Sequence, residues 1–569
     1  MAAFPTRTGY LAIGRTTTSL VMLLSLSGCA LFVKPPTLPA YGAFGTPRLF
    51  EGMGAHKRTI TTRSPQAQTY FNQGLNWIYA FNHDEAVRSF TKAAQLDPDC
   101  AMAWWGVAYA QGPNYNDPVM TEDRNAAAWA ALQNAQARID NTTPVERALI
   151  EALAHRYESP APEDRKHLNK AFAEAMGKAW AYHPEDSDVG TLYAESLMVQ
   201  YPWKLYTPEG QPAREDTNTI VAVLEQVLET DPHNPGANHL YIHAIEPSDD
   251  KKRAIPAADR LSDLVPGAGH LQHMPSHIYV QVGMWDRSIE QNAKAMEADD
   301  RYRVLSPKQI VQHGYMTHNA HMLAFSAMMI GRERQAMAAA RDMWNDLPDS
   351  IIRVAGPYFD PVMCSIYDVQ KRFGRWDDLL AEPAPPKYLP ITTAVWRAHR
   401  AIAYAAKKDF DNAKREQTAF RKAMQAIPVT PMWDTFGPPV KILLVSELFI
   451  SGEIALQKGE WDEAANLLEE AAVIEDTLGY GEPPHWLQPV RHTLGAVYLE
   501  SGRYADAERV YREDLAKWPG NGWSLYGLAR ALEEQGKTDE ALAVKQEYDR
   551  VWAGADEPTT TSCKCIPKT

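Results

Sequence analysis

Apolar and polar positions follow one another along most of the chain with the period of an α-helix, and the helical stretches come in pairs. In residues 65–98 two amphipathic stretches are separated by a short turn, and a proline ends the second. Apolar side chains three and four residues apart form one face of a helix, so each stretch predicts a helix with one buried face. Similar pairs recur towards the other end, and the pattern predicts an all-α protein of repeated helix pairs.

Small residues, an aromatic residue and a closing proline recur at fixed spacings within these pairs. The 34-residue helix-turn-helix grid that they form resembles the tetratricopeptide repeat. The grid is clearest in two pairs: Gly74, Ala86, Phe90 and Pro98, and Gly495, Ala507, Tyr511 and Pro519. The resemblance implies an α-solenoid of about ten repeats that covers nearly the whole chain after Ser64. Inserted loops are expected at residues 112–118, 202–217, 303–316 and 383–386.

The pattern divides the chain into six parts. They are a signal peptide (1–28), a flexible tether rich in Pro, Gly and Thr (29–63), N-terminal repeats (64–234), histidine-rich repeats (235–350), C-terminal repeats (351–555) and a disordered polar tail (556–569). The tail carries Cys563 and Cys565. These are either an exposed thiol pair able to bind a soft metal or part of an unstructured end.

The N-terminus is typical of a lipoprotein signal peptide. Two arginines precede an apolar run at residues 20–24, which is too short to span a bilayer. The sequence LSGC at residues 26–29 resembles a bacterial lipobox. The resemblance implies cleavage before Cys29 and lipidation of its sulfur. Because Ala30 follows, it also implies anchoring in the outer membrane of the cell envelope, facing the periplasm. An ordinary cleaved signal is the alternative.

Composition excludes one class of partner. The 569 residues include 57 Lys and Arg against 71 Asp and Glu, and the net charge of -14 gives no basic surface for nucleic acid. The sequence contains no phosphate loop and no dinucleotide fingerprint, so we expect no nucleotide cofactor. It also lacks the GxSxG and HExxH motifs of common hydrolases.

Histidines are concentrated in one stretch, where residues 239–321 hold eight of the seventeen. The sequence NHLYIHAIE places His239, His243 and Glu246 four and three residues apart. That spacing puts the three side chains on one face of a helix, where they can act together.

The repeat grid aligns these histidines with one another. On the grid, three repeats begin at Pro235, Gly269 and Thr317. In tetratricopeptide proteins the second, fifth and ninth positions of the first helix line the concave groove, so the resemblance implies that seven histidines share that groove. They are His270 and His318 at the second position, His239, His273 and His321 at the fifth, and His243 and His277 at the ninth. His313 is the eighth histidine of the stretch.

Such a set predicts a transition-metal site. First helices of successive repeats lie roughly 8–10 Å apart, so imidazoles from neighbouring helices can converge on one ion, and a carboxylate one turn away can also bind it. Nitrogen-rich sets favour zinc, copper or iron. The expected ligands are His239, His243, Glu246, His273, His277, His321, His270 and His318. Further candidates for the groove are Glu195, Cys364, Asp368, Glu482, His485 and His492.

Three functions fit this pattern. The chain resembles a group of bacterial tetratricopeptide lipoproteins of unassigned activity, and a fold does not settle chemistry. The first function is a lipid-anchored periplasmic protein that binds a peptide or protein ligand in its groove and holds the metal there. The second is a metalloenzyme, a hydrolase or oxidase with Glu246 as general base. The third is a metal-free interaction scaffold whose histidines only contact its ligand.

Pro275 complicates the helix that carries two of these histidines. It lies between His273 and His277, where a proline kinks or breaks a regular helix. Either the helix starts near Met274 and leaves His270 and His273 in a loop, or it bends at this point.

Overall fold

The computed structural model describes residues 41–43, 45–307, 310–427 and 439–566. Apart from an isolated β-bridge, the regular secondary structure of these residues is helical. The predicted all-α fold of successive helix pairs is confirmed. Cys29 and the rest of the signal peptide lie outside the described residues. Among the helices that are described, none has both the length and the apolar character needed to cross a membrane.

The helices follow one another along the chain in three parts. The N-terminal part contains α1 (Pro65–Tyr79), α2 (His83–Leu96), α3 (Ala101–Gln111), α4 (Glu122–Gln136), α5 (Pro144–Leu153), α6 (Lys166–Tyr182), α7 (Ser187–Met198) and α8 (Glu215–Thr230). The histidine-rich part contains α9 (Pro235–Ile245), α10 (Ile255–Leu264), α11 (Gly269–His273), α12 (Pro275–Gln281), α13 (Trp285–Leu305), α14 (Ile310–Met329) and α15 (Glu333–Asp346). The C-terminal part contains α16 (Asp349–Val354), α17 (Gly356–Phe359), α18 (Ser365–Arg372), α19 (Trp376–Ala381), α20 (Pro390–Ala406), α21 (Phe410–Gln425), α22 (Pro439–Lys458), α23 (Trp461–Asp476), α24 (Val490–Glu500), α25 (Tyr504–Lys517), α26 (Gly522–Glu534) and α27 (Thr538–Val551).

Glycines let neighbouring helices approach an aromatic ring at the predicted crossing points. A methyl group added to Gly74 would lie 2.7 Å from the ring of Phe90, and one added to Gly106 would lie 2.4 Å from it. Gly495 faces the ring of Tyr511 in the same way, at 2.4 Å. These distances are well inside ordinary contact between carbon atoms. The same close packing near both ends of the stack explains why the sequence repeats these residues.

The segment expected to be a flexible tether is packed over residues 45–63. Ile60 is only 6% exposed and Arg58 only 8%. The Arg58 Nη1 atom lies 2.7 Å from Asp186 Oδ1 and 3.2 Å from Asp188 Oδ2. The tether prediction is wrong for these residues, because a lack of helical periodicity excludes a helix but not an extended strap held by side chains of α7 and the turn before it.

One of the four predicted insertions is not a loop. Three insertions lie where expected, between α3 and α4, α7 and α8, and α19 and α20. The fourth, residues 303–316, is largely helical, because α13 continues to Leu305 and α14 begins at Ile310 rather than Thr317. The grid assumes repeats of equal length, whereas α13 has 21 residues and α14 has 20.

The C-terminal tail is ordered as far as residue 566, so the disorder expected for residues 556–569 is wrong over the described part. Cys563 and Cys565 form a disulfide and are each 3% exposed. The Ser562 hydroxyl donates to the carbonyl oxygen of His492 at 2.9 Å and accepts from the hydroxyl of Tyr511 at 2.5 Å. The polar sequence of the tail hides this packing because its contacts are made with helices far away in the chain.

Candidate metal centre

Helix α9 positions the first two histidines of the centre. The Asn234 side chain accepts the N–H of Ala237 at 2.9 Å, and Pro235 occupies the first turn. An asparagine cap followed by a proline fixes the start of a helix, because the cap satisfies one free N–H and proline has none. The fixed start sets the rotation of the helix, so His239 and His243 face the same side as predicted.

Helices α11 and α12 are two halves of one bent helix. Met274, between them, keeps helical dihedral angles of φ -50° and ψ -37°. Pro275 interrupts the hydrogen-bond ladder because it has no N–H. The structure therefore shows the bent-helix alternative, in which His270 and His273 stay helical and His277 follows on the next half.

Three histidines from α9 and α11 form the first cluster, which we call group A: His239, His243 and His270. Their possible ligand atoms all lie within 4.8 Å of one another. The three side chains are buried, and none of their Nε2 atoms has a hydrogen-bond partner. Nδ1 of His270 has no partner either. Buried polar atoms are nearly always hydrogen-bonded, so unpartnered nitrogens this close together require an explanation.

Hydrogen bonds at Nδ1 orient two rings of group A. The Nδ1 atom of His239 lies 2.6 Å from the backbone oxygen of Tyr79, which can only accept. The Nδ1 atom of His243 lies 2.8 Å from Glu246 Oε1. An imidazole that donates through Nδ1 keeps the lone pair on Nε2, which is the tautomer found when Nε2 binds a metal.

A second cluster from α11, α12 and α14 lies beside the first, and we call it group B: His273, His277 and His318. Its possible ligand atoms also lie within 4.8 Å of one another. The Nε2 atom of His277 is 2.7 Å from that of His273 and 3.5 Å from that of His318. At Nδ1, His273 pairs with Asn292 Oδ1 at 2.6 Å and His277 pairs with Glu246 Oε2 at 2.5 Å.

Glu246 joins the two groups. Its Oε1 atom pairs with His243 of group A, and its Oε2 atom pairs with His277 of group B. Glu246 could itself form a ligand set with these two histidines, since their ligand atoms are also within 4.8 Å. If Glu246 and the Nδ1 side of the rings bound the ion, Nε2 of His243 would still have no partner. If the rings bound ions through Nε2, Glu246 would keep its hydrogen bonds to Nδ1 of His243 and of His277. The geometry therefore favours a positioning role for this fully buried carboxylate over the general-base role suggested by the sequence.

Burial controls the charge of both groups. It lowers the pKa of His243 to about 3 and of His273 to about 4. The pKa values of His270 and His277 are lowered well below the usual range by burial and then by neighbouring imidazoles. At neutral pH these rings are uncharged, and the neutral imidazole is the form that binds a metal. Burial raises the pKa of Glu246.

Aromatic rings from the N-terminal half cover group A. The ring centre of Phe81, in the turn between α1 and α2, lies 4.5 Å from that of His239. Tyr115 and Trp203, from the α3–α4 and α7–α8 loops, lie 5.3 and 5.4 Å from the ring of His243. The two loops that the sequence marked as interruptions thus close over the centre.

Two of the covering residues have unusual backbones. Phe81 and Trp203 have φ angles of 54° and 61°, in the left-handed region that residues other than glycine seldom adopt. Such conformations cost about 1–3 kcal/mol each and tend to occur at functional sites. Sequence reasoning missed both residues, because nothing in the sequence shows the backbone angle.

The C-terminal repeats also reach the centre. The loop between α23 and α24 brings Glu482 Oε1 to 3.8 Å from Nδ1 of His277. In the same loop, the hydroxyl of Tyr480 accepts from Gln281 Nε2 at 3.3 Å. Glu482 was among the predicted groove residues, but its approach to His277 depends on packing between helices about 200 positions apart in the chain.

Several candidate residues lie elsewhere. His321 belongs to neither group: it is three residues from His318, so it points roughly 60° around the helix, towards Asp368, whose charge acts on it. His313 lines a separate cavity with Asp299 and other acidic residues. The remaining candidates have other partners: Glu195 with Tyr109, Asp368 with His399, Cys364 with the oxygen of Pro361, His492 with Asp514, and His485 with the backbone of Tyr480.

Comparison with known proteins identifies the repeat but not its chemistry. Residues 498–549 match the family model described as tetratricopeptide repeat, which confirms the predicted repeat there. No curated protein matches the chain. The Cut9–Hcn1 hetero-tetramer of the APC/C is 13% identical, with 88% of this chain and 76% of that one covered and a TM-score of 0.27. A human IFIT1 dimer with m7Gppp-AAAA is 13% identical, with 87% and 92% covered and a TM-score of 0.31. With scores this low, neither likeness supports a function.

Proposed function

We propose that this tetratricopeptide-repeat protein binds a transition-metal ion through the Nε2 atoms of group A. The observation that supports the proposal is the convergence of three buried imidazoles whose Nε2 atoms have no hydrogen-bond partner. A buried polar atom without a partner costs about 1–3 kcal/mol, and coordination of an ion removes that cost. The Nδ1 hydrogen bonds of His239 and His243 already hold two of the rings in the required tautomer.

The spacing of the ligand atoms fits such an ion. A tetrahedral ion with bonds of about 2.1 Å to nitrogen needs ligand nitrogens about 3.4 Å apart. The ligand atoms of group A lie within 4.8 Å of one another, so side-chain shifts on the order of 1 Å would bring them to that geometry. Three imidazoles without sulfur or a direct carboxylate suit zinc, copper or iron.

Elemental analysis tests the proposal. The protein without its signal peptide and Cys29, purified without a histidine tag, is expected to retain at least one equivalent of a transition metal after dialysis. The variant with His239→Ala, His243→Ala and His270→Ala should lose the ion of group A, and His313→Ala serves as a control because His313 lies in another cavity. No metal in the parent protein, even after reconstitution, would leave a metal-free scaffold as the better account.

A metalloenzyme is the second candidate. Three protein ligands leave a fourth position for water or substrate, which is typical of catalytic rather than structural zinc sites. The hydroxyl of Tyr115 is buried without a hydrogen-bond partner, and its ring lies 5.3 Å from that of His243. If the fourth position is open, azide will change the visible spectrum of the cobalt-loaded protein. An unchanged spectrum would argue for a closed site.

We also propose that the protein is anchored to the bacterial envelope through a lipid on Cys29 and faces the periplasm. The support is the LSGC sequence at residues 26–29 after a short apolar run. Two or more acyl chains give stable membrane attachment, whereas one does not. Cys29→Ser should move the protein out of the membrane fraction. Membrane association that survives this change would contradict the lipid anchor.

A peptide or protein ligand is the remaining part of the proposal. Solenoids of this kind use extended concave surfaces to bind partners. Because the histidines of group A are buried, the ligand would contact other parts of the groove. Photo-crosslinking from exposed positions in intact cells should yield a defined adduct, and its absence from all such positions would contradict this part of the proposal.

A further inference from the structure

We infer that the centre takes two transition-metal ions, the second bound by the Nε2 atoms of His273, His277 and His318. The inference rests on the proposed function, because it extends the same centre from one ion to two. It assigns group B the chemistry of group A: three imidazoles on separate helical turns, with ligand atoms close together and with two of the three Nδ1 atoms held by hydrogen bonds.

The Nδ1 contacts of group B match those of a metal site. Asn292 Oδ1 holds His273 at 2.6 Å, and Glu246 Oε2 holds His277 at 2.5 Å. Each contact fixes the ring and leaves Nε2 to face its neighbours, as in the hydrogen bonds behind metal-bound histidines. His273 and His277 are 0% and 1% exposed, so solvent water does not explain their arrangement.

The candidate ligand atoms form two sets of three histidines. Within the described residues, the ligand atoms of group A all lie within 4.8 Å of one another and so do those of group B, whereas the set that crosses between the groups contains only two histidines, with Glu246. Ring centres do not mark this boundary, because those of His243 and His277 are 5.7 Å apart and those of His243 and His270, within group A, are 6.3 Å apart. Two adjacent ions would give each of the six rings a metal, whereas one ion at either position would leave the other three histidines without one.

The buried charges also call for cations. Glu246 and Glu482 both face group B, and Glu246 also contacts group A. Among the described residues, the ion-pair partners of these two carboxylates are histidines, with no lysine or arginine. A buried carboxylate is costly unless a proton, a positive charge or a metal compensates it. Two divalent ions beside two carboxylates supply that charge from within the centre.

The shared carboxylate makes the two positions dependent on one another. Glu246 receives a hydrogen bond from one ring of each group, so fixing His243 on an ion also fixes the carboxylate that holds His277. We therefore expect the first ion to prepare the second position. A ligand that bridges the two ions must be small, because Phe81, Tyr115 and Trp203 pack over the rings.

Cobalt titration tests the inference. The metal-free protein without its lipid anchor is titrated with Co(II), followed by visible absorption, and bound cobalt is measured after gel filtration. The parent protein is expected to bind two equivalents. His270→Gln and His318→Gln should each bind one, and the double variant none. His321→Gln, on the same helix as His318 but in neither group, should still bind two. Circular dichroism confirms that each variant is folded.

Each other outcome has a distinct meaning. One equivalent that is lost in His270→Gln but kept in His318→Gln would overturn the second ion and leave the proposed group A site intact. Suppose instead that the parent protein binds one equivalent, that both histidine variants keep it, and that Glu246→Gln loses it. A single ion would then lie between the groups, and the assignments of one ion to group A and one to group B would both be overturned. No bound cobalt, and no zinc in a parallel titration, would overturn the metal centre as a whole. If a histidine variant does not fold, the corresponding Asn variant replaces it.

Discussion

At the scale of single residues, Glu246 has the clearest role, because each of its oxygens pairs with a ring from a different group. In Glu246→Gln the amide keeps the shape but can accept only one of the two Nδ1 protons. Loss of such a partner weakens metal affinity about 10- to 100-fold. We expect that fall in the Kd measured by competition with a chromophoric chelator, at unchanged stoichiometry.

Glu195 offers a matched control for this change. It is equally buried but pairs with the hydroxyl of Tyr109, so Glu195→Gln should leave the Kd unchanged. Equal affinities in the Glu246 variant and the parent protein would show that the carboxylate does not hold the ligands.

His56 predicts a pH dependence for the N-terminal strap. Burial lowers its pKa, but the hydrogen bond and charge of Asp188 outweigh burial, so the pKa is raised from 6.5. A raised pKa means that the folded protein holds a proton the unfolded chain releases, so the stabilisation is present below about pH 6.5 and is lost as pH rises through the folded pKa. We expect the free energy of urea unfolding to fall from pH 6 to 8 by more in the parent protein than in His56→Gln. An equal change of unfolding free energy with pH in the two proteins would show that the His56–Asp188 pair does not contribute to stability.

Single residues also show what the sequence could and could not predict. The spacing of His239 and His243 on one helix was enough to place them together. The repeat grid also predicts His321 in the groove, at the position of His239. His321 lies three residues from His318, roughly 60° around the helix, so it belongs to neither group although His318 does. Phe81 covers the centre because of a turn conformation that no sequence pattern records.

At the scale of elements, the sequence predicts the helices but not the two non-helical segments that pack against them. The buried face of a helix in the stack appears in the sequence as a repeated spacing of apolar and small residues. The close contacts of glycines with Phe90 and Tyr511 explain why that spacing recurs near both ends. Residues 45–63 and the C-terminal tail are held by individual side chains such as Arg58 and Ser562, whose partners lie far away in the sequence. Isolated long-range contacts of that kind produce no periodic pattern in the sequence.

The tail supports a prediction about stability. Ser562 links Tyr511 and His492, and its carbonyl oxygen accepts from Arg372 Nη2 at 3.1 Å. Three hydrogen bonds at about 1 kcal/mol each, together with the lost apolar packing, predict that removal of residues 556–569 costs at least about 3 kcal/mol. The midpoint of thermal unfolding, followed by circular dichroism, should fall by several degrees. Removal of residues 567–569 alone is the control, and equal midpoints for both truncations would contradict the prediction.

At the scale of the whole molecule, the centre is assembled from three distant parts of the chain. The candidate ligands come from α9 to α14, the aromatic cover from the N-terminal repeats, and Tyr480 and Glu482 from the C-terminal repeats. Two further contacts join the histidine-rich part to the C-terminal part, since Trp285 Nε1 donates to the oxygen of Pro519 at 2.9 Å and Trp523 Nε1 to that of Met328 at 2.7 Å. The sequence indicates the candidate ligands because their spacing within α9 and across the bent helix of α11 and α12 is local. It does not indicate most of the enclosure, because those contacts join distant parts of the chain.

Enclosure predicts how fast a bound ion leaves. Tyr480 receives a hydrogen bond from Gln281 over the centre, so Tyr480→Ala should speed the transfer of bound metal to an excess of chelator while leaving the amount bound at equilibrium unchanged. The control is Tyr526→Ala, which lies in α26 away from the histidines. Equal release rates in these two variants and the parent protein would show that the loop does not limit exit.

The covering rings would therefore make the identity of a bound ion depend on the conditions in which the protein folded. When an ion can exchange only through local opening, it leaves at the slow rate of that opening rather than at the rate of ligand exchange in water. A metal bound at the proposed centre would then reflect which ions were available where and when the chain folded around it. Later changes in the surrounding supply would reach the centre only as fast as the chain reopens or is replaced.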